Sequence, residues 1–317
     1  MTFDAMKARV RGLPEVAAWP EMLALMERVV HRESLSVWDY PAIVCEAVGG
    51  NPAIALPGGA AVFCSLISIH LIDDMLDEDV NGDYRLLGAG KVANLGIAFQ
   101  SAGHRLLDDL ALPGAARAAL QACLAKMALG TAFGQGLDAR EVTSEEEYWQ
   151  VVEAKTPPLF GAAFRLGALI GGAPETLVQG LENLGGILGR LVQVSDDLSD
   201  SLQIPAGADW RRRANNLPIL FAMTAEHPDR EHFLNVSLEV ETPEALAAAQ
   251  KILLASGAVS YCAFKMFEFS KAAEDLLAGL PLPNPEPITR LLAAHMVPLY
   301  RMLASVGVEE PATLTIG

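Results

Sequence analysis

Two stretches of this chain carry acids at a spacing that suits a cation. The first is Asp73-Asp74-Met75-Leu76-Asp77, continued by Glu78-Asp79, and the second is Asp196-Asp197-Leu198-Ser199-Asp200. Both spell D-D-x-x-D, and both follow an apolar run. On a helix Asp73 and Asp77 are four residues apart and share a face. With no Lys or Arg between them, their carboxylates repel each other. A hard divalent cation relieves that repulsion. Mg2+ takes one or two carboxylates, keeps some waters, and fills its other positions from substrate phosphates. A single acidic run is more often a solvated helix end. Two matched runs at the ends of buried helices argue against that plain explanation, because acids placed there are costly without a positive partner.

Helices must position these acids. Residues 60–72 form an apolar run without proline, which predicts a buried helix ending in the first motif. Helical patterns extend over 14–31, 41–48, 55–79, 89–110, 113–136, 159–172, 175–200, 217–226, 243–256, 258–278 and 288–306. Ser144 and Glu147 form a capping-box pattern that opens another helix, which ends by Pro157-Pro158. Residues 32–40 are polar and irregular, and Asn81-Gly82-Asp83 and 204–207 break the chain. Pro281, Pro283, Pro285 and Pro287 form a stiff connector. No alternating β-branched run bounded by hairpin turns is present, so the expected class is all-α. No composition break divides the 317 residues, and a single domain over 1–317 is expected.

Composition narrows the partners. The chain is 51% hydrophobic with a formal net charge of −16, which argues against nucleic acid and anionic membrane surfaces. Cys45, Cys64, Cys123 and Cys262 lack C-x-x-C spacing and are expected as reduced core residues. No apolar signal region precedes Glu15, and no membrane span is expected, so a cytoplasmic protein is the default. A di-iron bundle needs Glu-x-x-His pairs, and none of the six histidines has Glu three residues earlier. A G-x-x-x-x-G-K loop and a G-x-S-x-G elbow are both absent.

Two D-D-x-x-D helices facing one cavity suit a specific task. Together they hold Mg2+ ions on one diphosphate and make it a better leaving group. If the carbon is allylic, the product is a carbocation, and the cavity must be apolar and dry to protect it. The apolar helices leading into both motifs would supply those walls.

In these features the chain resembles the trans-isoprenyl diphosphate synthases, the group that includes farnesyl and geranylgeranyl diphosphate synthases. The resemblance covers roughly residues 40–225. Gly134-Gln135-Gly136-Leu137-Asp138 resembles the family's G-Q-x-x-D, and Glu147-Tyr148 through Lys155-Thr156 its E-Y…K-T segment. Gln193 stands where the family has Gln before the second motif, and Gly207-Ala208-Asp209 and Leu217-Pro218 match its G-x-D and L-P. The resemblance implies a helical bundle around a central apolar cavity, with Mg2+ as cofactor and an allylic prenyl diphosphate as substrate. It implies Asp73, Asp77 and Asp196 as principal ligands, supported by Asp74, Asp197 and Asp200. Lys155 would grip the allylic diphosphate. Arg85, off register, Arg211 and Gln193 are further substrate-binding candidates, and a homodimer is expected.

The departures from the family concern isopentenyl diphosphate. The family's G-G-K-R-x-R-P is here 32–41, with no Lys and no Arg pair, and its His seven residues before the first Asp is Leu66. Its R-R-G is Leu86-Leu87-Gly88, and its G-K-x-T is Arg213-Ala214-Asn215-Asn216. A buried second diphosphate needs paired cations. The expected activity is therefore prenyl transfer to an acceptor other than isopentenyl diphosphate. A class I terpene cyclase, with Trp38, Phe63, Phe99, Phe133, Phe160 and Phe164 as candidate cation-facing aromatics, is the first alternative. A non-catalytic subunit of a hetero-oligomeric synthase is the second. The prenyl tail is expected to run along the first motif's helix past Ile69, Ser68, Ser65 and Cys64 toward Phe63. That floor suits farnesyl or geranylgeranyl chains.

Overall fold

The computed structural model describes residues 3–29, 36–212 and 215–305, with helices as the regular structure and no strand among the described residues. The N-terminal part comprises α1 (Phe3–Arg11), α2 (Pro14–Ala17), α3 (Pro20–Arg28) and α4 (Tyr40–Ala47). The central bundle follows as α5 (Leu56–Leu76), α6 (Tyr84–Leu87), α7 (Ala89–Leu107), α8 (Gly114–Asp138), α9 (Glu145–Lys155), α10 (Pro157–Ile170) and α11 (Glu175–Ser201). Beyond it lie α12 (Ala208–Arg212), α13 (Leu217–Thr224), α14 (Arg230–Val236), α15 (Pro243–Ala255), α16 (Ala258–Gly279) and α17 (Glu286–Ser305).

Local chemistry accounts for the boundaries. Proline stands in the first two positions of α2, α3, α4, α5, α10, α13, α15 and α17, where its missing N–H would have no helical partner anyway. Pro20 also splits the helix expected over 14–31, since the residue before a proline is pushed out of the helical region and Trp19 is extended. The cap on α9 is displaced from the expected box. Ser144 Oγ accepts from Glu147 N at 3.3 Å, but the Glu147 carboxylate reaches Thr143, taking its N–H at 2.8 Å and its hydroxyl at 2.9 Å. The short helices α1, α6, α12 and α14 lie outside the expected set.

The main core joins α1, α4, α5, α7, α8, α10 and the first half of α11. A second cluster links α9, the end of α11, α13, α16 and α17, and a third fills α12 to α15. Helix α5 is apolar all round and packs chiefly on α7. Pro52–Leu76 is long and apolar enough to cross a bilayer by length and composition, and most of it is buried inside the bundle. All four cysteines are free and buried, as expected.

Two glycines set distances that matter below. A Cβ at Gly103 on α7 would lie 3.1 Å from the Ala61 carbonyl, so the α5–α7 seam is close. A Cβ at Gly134 on α8 would lie 2.4 Å from the Lys155 backbone nitrogen, so only glycine lets α8 come this near α9.

Candidate functional site

Exposure along α5 shows which face is open. Leu66, Ile69 and Asp73 are half-buried and His70 is exposed, while Cys64, Ser65, Ile67, Ser68 and Leu71 are buried. Leu66, Ile69, His70, Asp73 and Asp77, the last just past the helix end and also half-buried, stand at helical offsets of three and four and share one stripe, while nearer the motif Ile72, Asp74, Met75 and Leu76 are accessible on other sides. That stripe is apolar at Leu66 and Ile69 and acidic at Asp73 and Asp77.

Two further helices close on the acidic end. On α8, Gln135 Nε2 donates to the Ile69 carbonyl at 3.1 Å and approaches Asp73 Oδ1 at 3.5 Å. On α9, Lys155 Nζ lies 3.1 Å from Asp73 Oδ1 and 2.5 Å from Asp138 Oδ2. Burial presses the ammonium toward neutrality, but Asp73 and Asp138 outweigh it and hold its pKa above the usual lysine value. The Asn215 amide donates to Asp138 Oδ1 at 2.9 Å and to the Asp138 carbonyl at 2.5 Å. Asp138 is therefore gripped on both oxygens and serves as the anchor of the lysine.

Asp73, Asp77 and Asp138 bring ligand oxygens within 4.8 Å of one another. Three carboxylates against one ammonium leave this group anionic, and its oxygen donors are those a hard divalent cation prefers. Asp74 lies to one side. Its Cβ packs at Gly82, and burial, then Asp79, Asp73 and Asp83, push its carboxyl up to about 6.

The second motif divides differently. On α11, Val192 and Gln193 are half-buried and Asp196 and Asp200 exposed, again along one face. Desolvation and Asp209 push Asp200 up to about 6. Asp197 is 2% exposed. Its Oδ1 accepts from Gln193 Nε2 at 2.7 Å, and its Oδ2 accepts from the Tyr148 hydroxyl at 2.6 Å and from Leu217 N at 2.9 Å. Burial, then Asp209, push it up to about 7 against these donors. Both oxygens of Asp197, expected as a supporting ligand, are taken by protein donors inside the core.

Other expected residues fall outside the cluster. Arg85 is exposed, donates to the Glu78 carbonyl at 3.3 Å and lies over the Tyr84 ring. Arg211 is exposed on α12. Of 32–41, residues 32–35 lie outside the described residues, as do Arg213 and Ala214. Along the expected tail path the small residues face α7. The Ser68 hydroxyl donates to the Gly96 carbonyl at 2.8 Å, and Ser65 and Cys64 meet α7 at Gly103, so these small residues build the α5–α7 seam. Phe63 is fully buried against Phe3 and Trp38. Only Ile69 of that set is on the open stripe.

The aromatics considered for cation contact lie elsewhere. Phe63, Phe99 and Phe164 are fully buried, Trp38 and Phe160 nearly so, and Phe133 is exposed on α8. A recess of about 600 Å³ between α8, α10 and α11 holds none of the motif acids. Gln135, Asp138, His70 and Asn215 were given no role by sequence reasoning, although the Gln135–Asp138 spacing already placed two polar groups on one face of α8.

Fold and site together define an all-α bundle whose central helix leads from an apolar wall to a carboxylate cluster held by a lysine. The chain belongs to the polyprenyl synthetase family, whose model matches residues 67–254. It is 29% identical over 252 residues to a short chain isoprenyl diphosphate synthase of Methanothermobacter thermautotrophicus, covering 74% of this chain and 77% of that one. It is 34% identical over 155 residues to a nonaprenyl diphosphate synthase of Mycobacterium tuberculosis, covering 45% of each, so the match spans less than half of that relative. A polyprenyl synthase from Caulobacter crescentus, solved with calcium and isoprenyl diphosphate, shares the fold with a TM-score of 0.78 at 20% identity, covering 93% of this chain and 92% of that one.

Proposed function

We propose that this protein is a Mg2+-dependent prenyltransferase, built as one unit over 1–317, that ionises an allylic prenyl diphosphate of farnesyl or geranylgeranyl size. It then transfers the prenyl group to an acceptor other than isopentenyl diphosphate. The observation that carries the reading is the join between the Leu66–Ile69 wall and the Asp73–Asp77–Lys155 cluster on one stripe of α5. Asp73 and Asp77, with Asp196 and Asp200 on α11, would hold the cations, and the oxygen donors and residual negative charge near Asp73 fit them. Bound Mg2+ supplies charge neutralisation for the departing diphosphate. Lys155, anchored by Asp138, places a fixed ammonium beside the same oxygens. Gln135 ties α8 to the backbone one turn below and keeps the mouth narrow. Leu66 and Ile69 exclude water from the allylic carbon.

The acceptor half supports the second part of the reading. Leu66 is an apolar residue on the open face, and Leu86 is an exposed apolar residue after the first motif. Neither pairs with a diphosphate. A homodimer belongs to the proposal: Ile97 on α7 and Leu129 and Phe133 on α8 are 66%, 75% and 62% exposed. The His104–Gln121 contact sets an antiparallel register that brings Ile97 level with Leu129. Four free thiols suit a reducing, cytoplasmic setting.

The test supplies pure protein with Mg2+, farnesyl diphosphate and isopentenyl diphosphate. Little or no chain elongation is expected, while farnesyl diphosphate alone releases diphosphate slowly. Efficient formation of geranylgeranyl or longer diphosphates would return the protein to the ordinary elongating synthases. A cyclic hydrocarbon from farnesyl diphosphate alone would make it a cyclase, and absence of both turnover and binding a non-catalytic subunit.

A further inference from the structure

The centre of the second motif is a hydrogen-bonded junction of three helices. Asp197 on α11 binds Tyr148 of α9 and the first N–H of α13, and its own carbonyl accepts from Asn216 Nδ2 at 2.8 Å. Gln193, one turn earlier, donates to Asp197 and accepts from the hydroxyl of Thr156. Thr156 directly follows Lys155 and caps α9. A continuous chain of side chains therefore runs from the carboxylate of Asp197 to the residue beside the lysine. Asp196 and Asp200 flank Asp197 in sequence but are rotated to the open side of α11, because each residue turns about 100° on a helix.

We propose that Asp197 is a positioning residue, not a metal ligand: it fixes the helix that carries Lys155 against the helix that carries Asp196 and Asp200. The two sides of a diphosphate clamp sit on α9 and α11, and geometry at such a site is held by the groups behind it. Freeing Asp197 for a cation would strand Leu217 N–H and the Tyr148 hydroxyl in the core, and each stranded donor is costly. The inference rests on the diphosphate-binding part of the proposed function and is independent of the acceptor.

The amide variant separates the two roles. In Asp197→Asn the side-chain oxygen can keep Tyr148 and Leu217, and its NH2 then faces Gln193. Gln193 need only turn its amide over, with the Thr156 hydroxyl switching from donor to acceptor. A positioning role survives this exchange, whereas a ligand loses its charge. The experiment compares Asp197→Asn, Asp197→Ala and Asp196→Asn with the parent protein. It reads hydrogen exchange at the Leu217 amide in EDTA, calorimetric binding of farnesyl thiodiphosphate over a Mg2+ titration, and KM and kcat for diphosphate release.

Asp197→Asn should keep Leu217 protected and leave the Mg2+ half-saturation within about twofold. Asp197→Ala should lose at least tenfold of that protection. Measured well below its melting temperature, it should also weaken thiodiphosphate binding about tenfold, with KM rising in step. Asp196→Asn should shift the Mg2+ titration and leave Leu217 protected. The proposal is overturned if Asp197→Asn shifts the Mg2+ titration as far as Asp196→Asn does, which is ligand behaviour. It is equally overturned if Asp197→Ala lowers only the melting temperature. If the parent protein binds no thiodiphosphate, the proposed function fails, and unchanged Leu217 exchange in Asp197→Ala would still sink the junction by itself.

Discussion

The two ends that carry D-D-x-x-D differ in what surrounds the same letters. At the end of α5 the first acid is half-buried and bound to a lysine from another helix, while the second turns toward the loop at Gly82. At the end of α11 the first and last acids are exposed, and the second is locked in the core by three donors. The helical repeat explains what they share, since positions one and five point the same way and position two points aside. What position two meets is decided by tertiary packing, and this is where the ends part. One motif has a pre-set cation; the other has a pre-set scaffold.

The sharpest way to break the comparison is to remove the leading acid of each end. Asp73→Ala and Asp196→Ala should each lower the rate of diphosphate release by at least about a hundredfold, the scale for losing one stabiliser of developing charge. Asp73→Ala should also leave Lys155 bound to Asp138 alone. Near-parent rates at saturating Mg2+ in either variant would remove that end from the site.

Acid should act on the second end through its neighbours. Tyr40 lies in the field of Asp196, and its hydroxyl meets His295 Nε2 at 2.6 Å, linking α4 to α17. Burial raises the phenol above its usual range, so the hydroxyl keeps its proton and donates. Burial lowers His295 from 6.5 to about 4. The folded state then binds a proton less readily than the unfolded chain. Stability is fully present above pH 6.5 and is lost as pH falls toward 4. Between pH 7.5 and 5 that amounts to about 2 kcal/mol. Urea unfolding of the parent and of His295→Gln at both pH values checks it: the variant should lose about that much less.

Much of this comparison was legible before any coordinates. Both motifs, the helices that carry them, and the Lys155 and Gln193 positions follow from spacing and resemblance. The open face of α5 was not legible, and the reason is physical. A helix apolar on every side has no hydrophobic direction to betray its orientation. Ser65 and Ser68 looked like an open floor because they are small, but small residues also permit the close approach of α7 at Gly96 and Gly103. Asp197 was equally hidden, since Tyr148 and Leu217 come from distant parts of the chain.

That lesson makes a contrast within α5. Ser68→Phe should drive a ring into the α5–α7 seam and remove the bond to the Gly96 carbonyl. Overpacking of this kind costs about 1–3 kcal/mol, read as a lower melting temperature. Ile69→Phe lies on the accessible stripe and should leave the melting temperature nearly unchanged, while moving the preference from farnesyl toward geranyl diphosphate. Each CH2 withdrawn from an apolar wall forgoes about 0.8 kcal/mol, so tens of fold in relative KM is the expected scale. A stable Ser68→Phe enzyme with altered chain preference would show that the tail lies in the seam after all.

The smallest effect is expected at the second acid of the first end. Asp74 has no structural part like that of Asp197, and it sits among Asp79, Asp73 and Asp83. Its carboxyl is pushed up to about 6, above the 3.8 of an ordinary aspartate. For an acid raised in the folded state the sign is opposite to that at His295. The folded protein holds the proton more tightly, so stability is fully present below pH 3.8 and declines as pH rises through about 6. At neutral pH the charge is therefore a burden on the fold, moderated because the group is only half-buried. Asp74→Asn should raise the melting temperature slightly at pH 8, have less effect at pH 5, and leave diphosphate release within about threefold, a change near 0.6 kcal/mol. The same substitution at Asp197 keeps its junction only by turning Gln193 over. A large loss of Mg2+ affinity in Asp74→Asn would mean that position two of the first motif is a ligand, and the difference between the two ends would then lie in the metal rather than in the packing behind it.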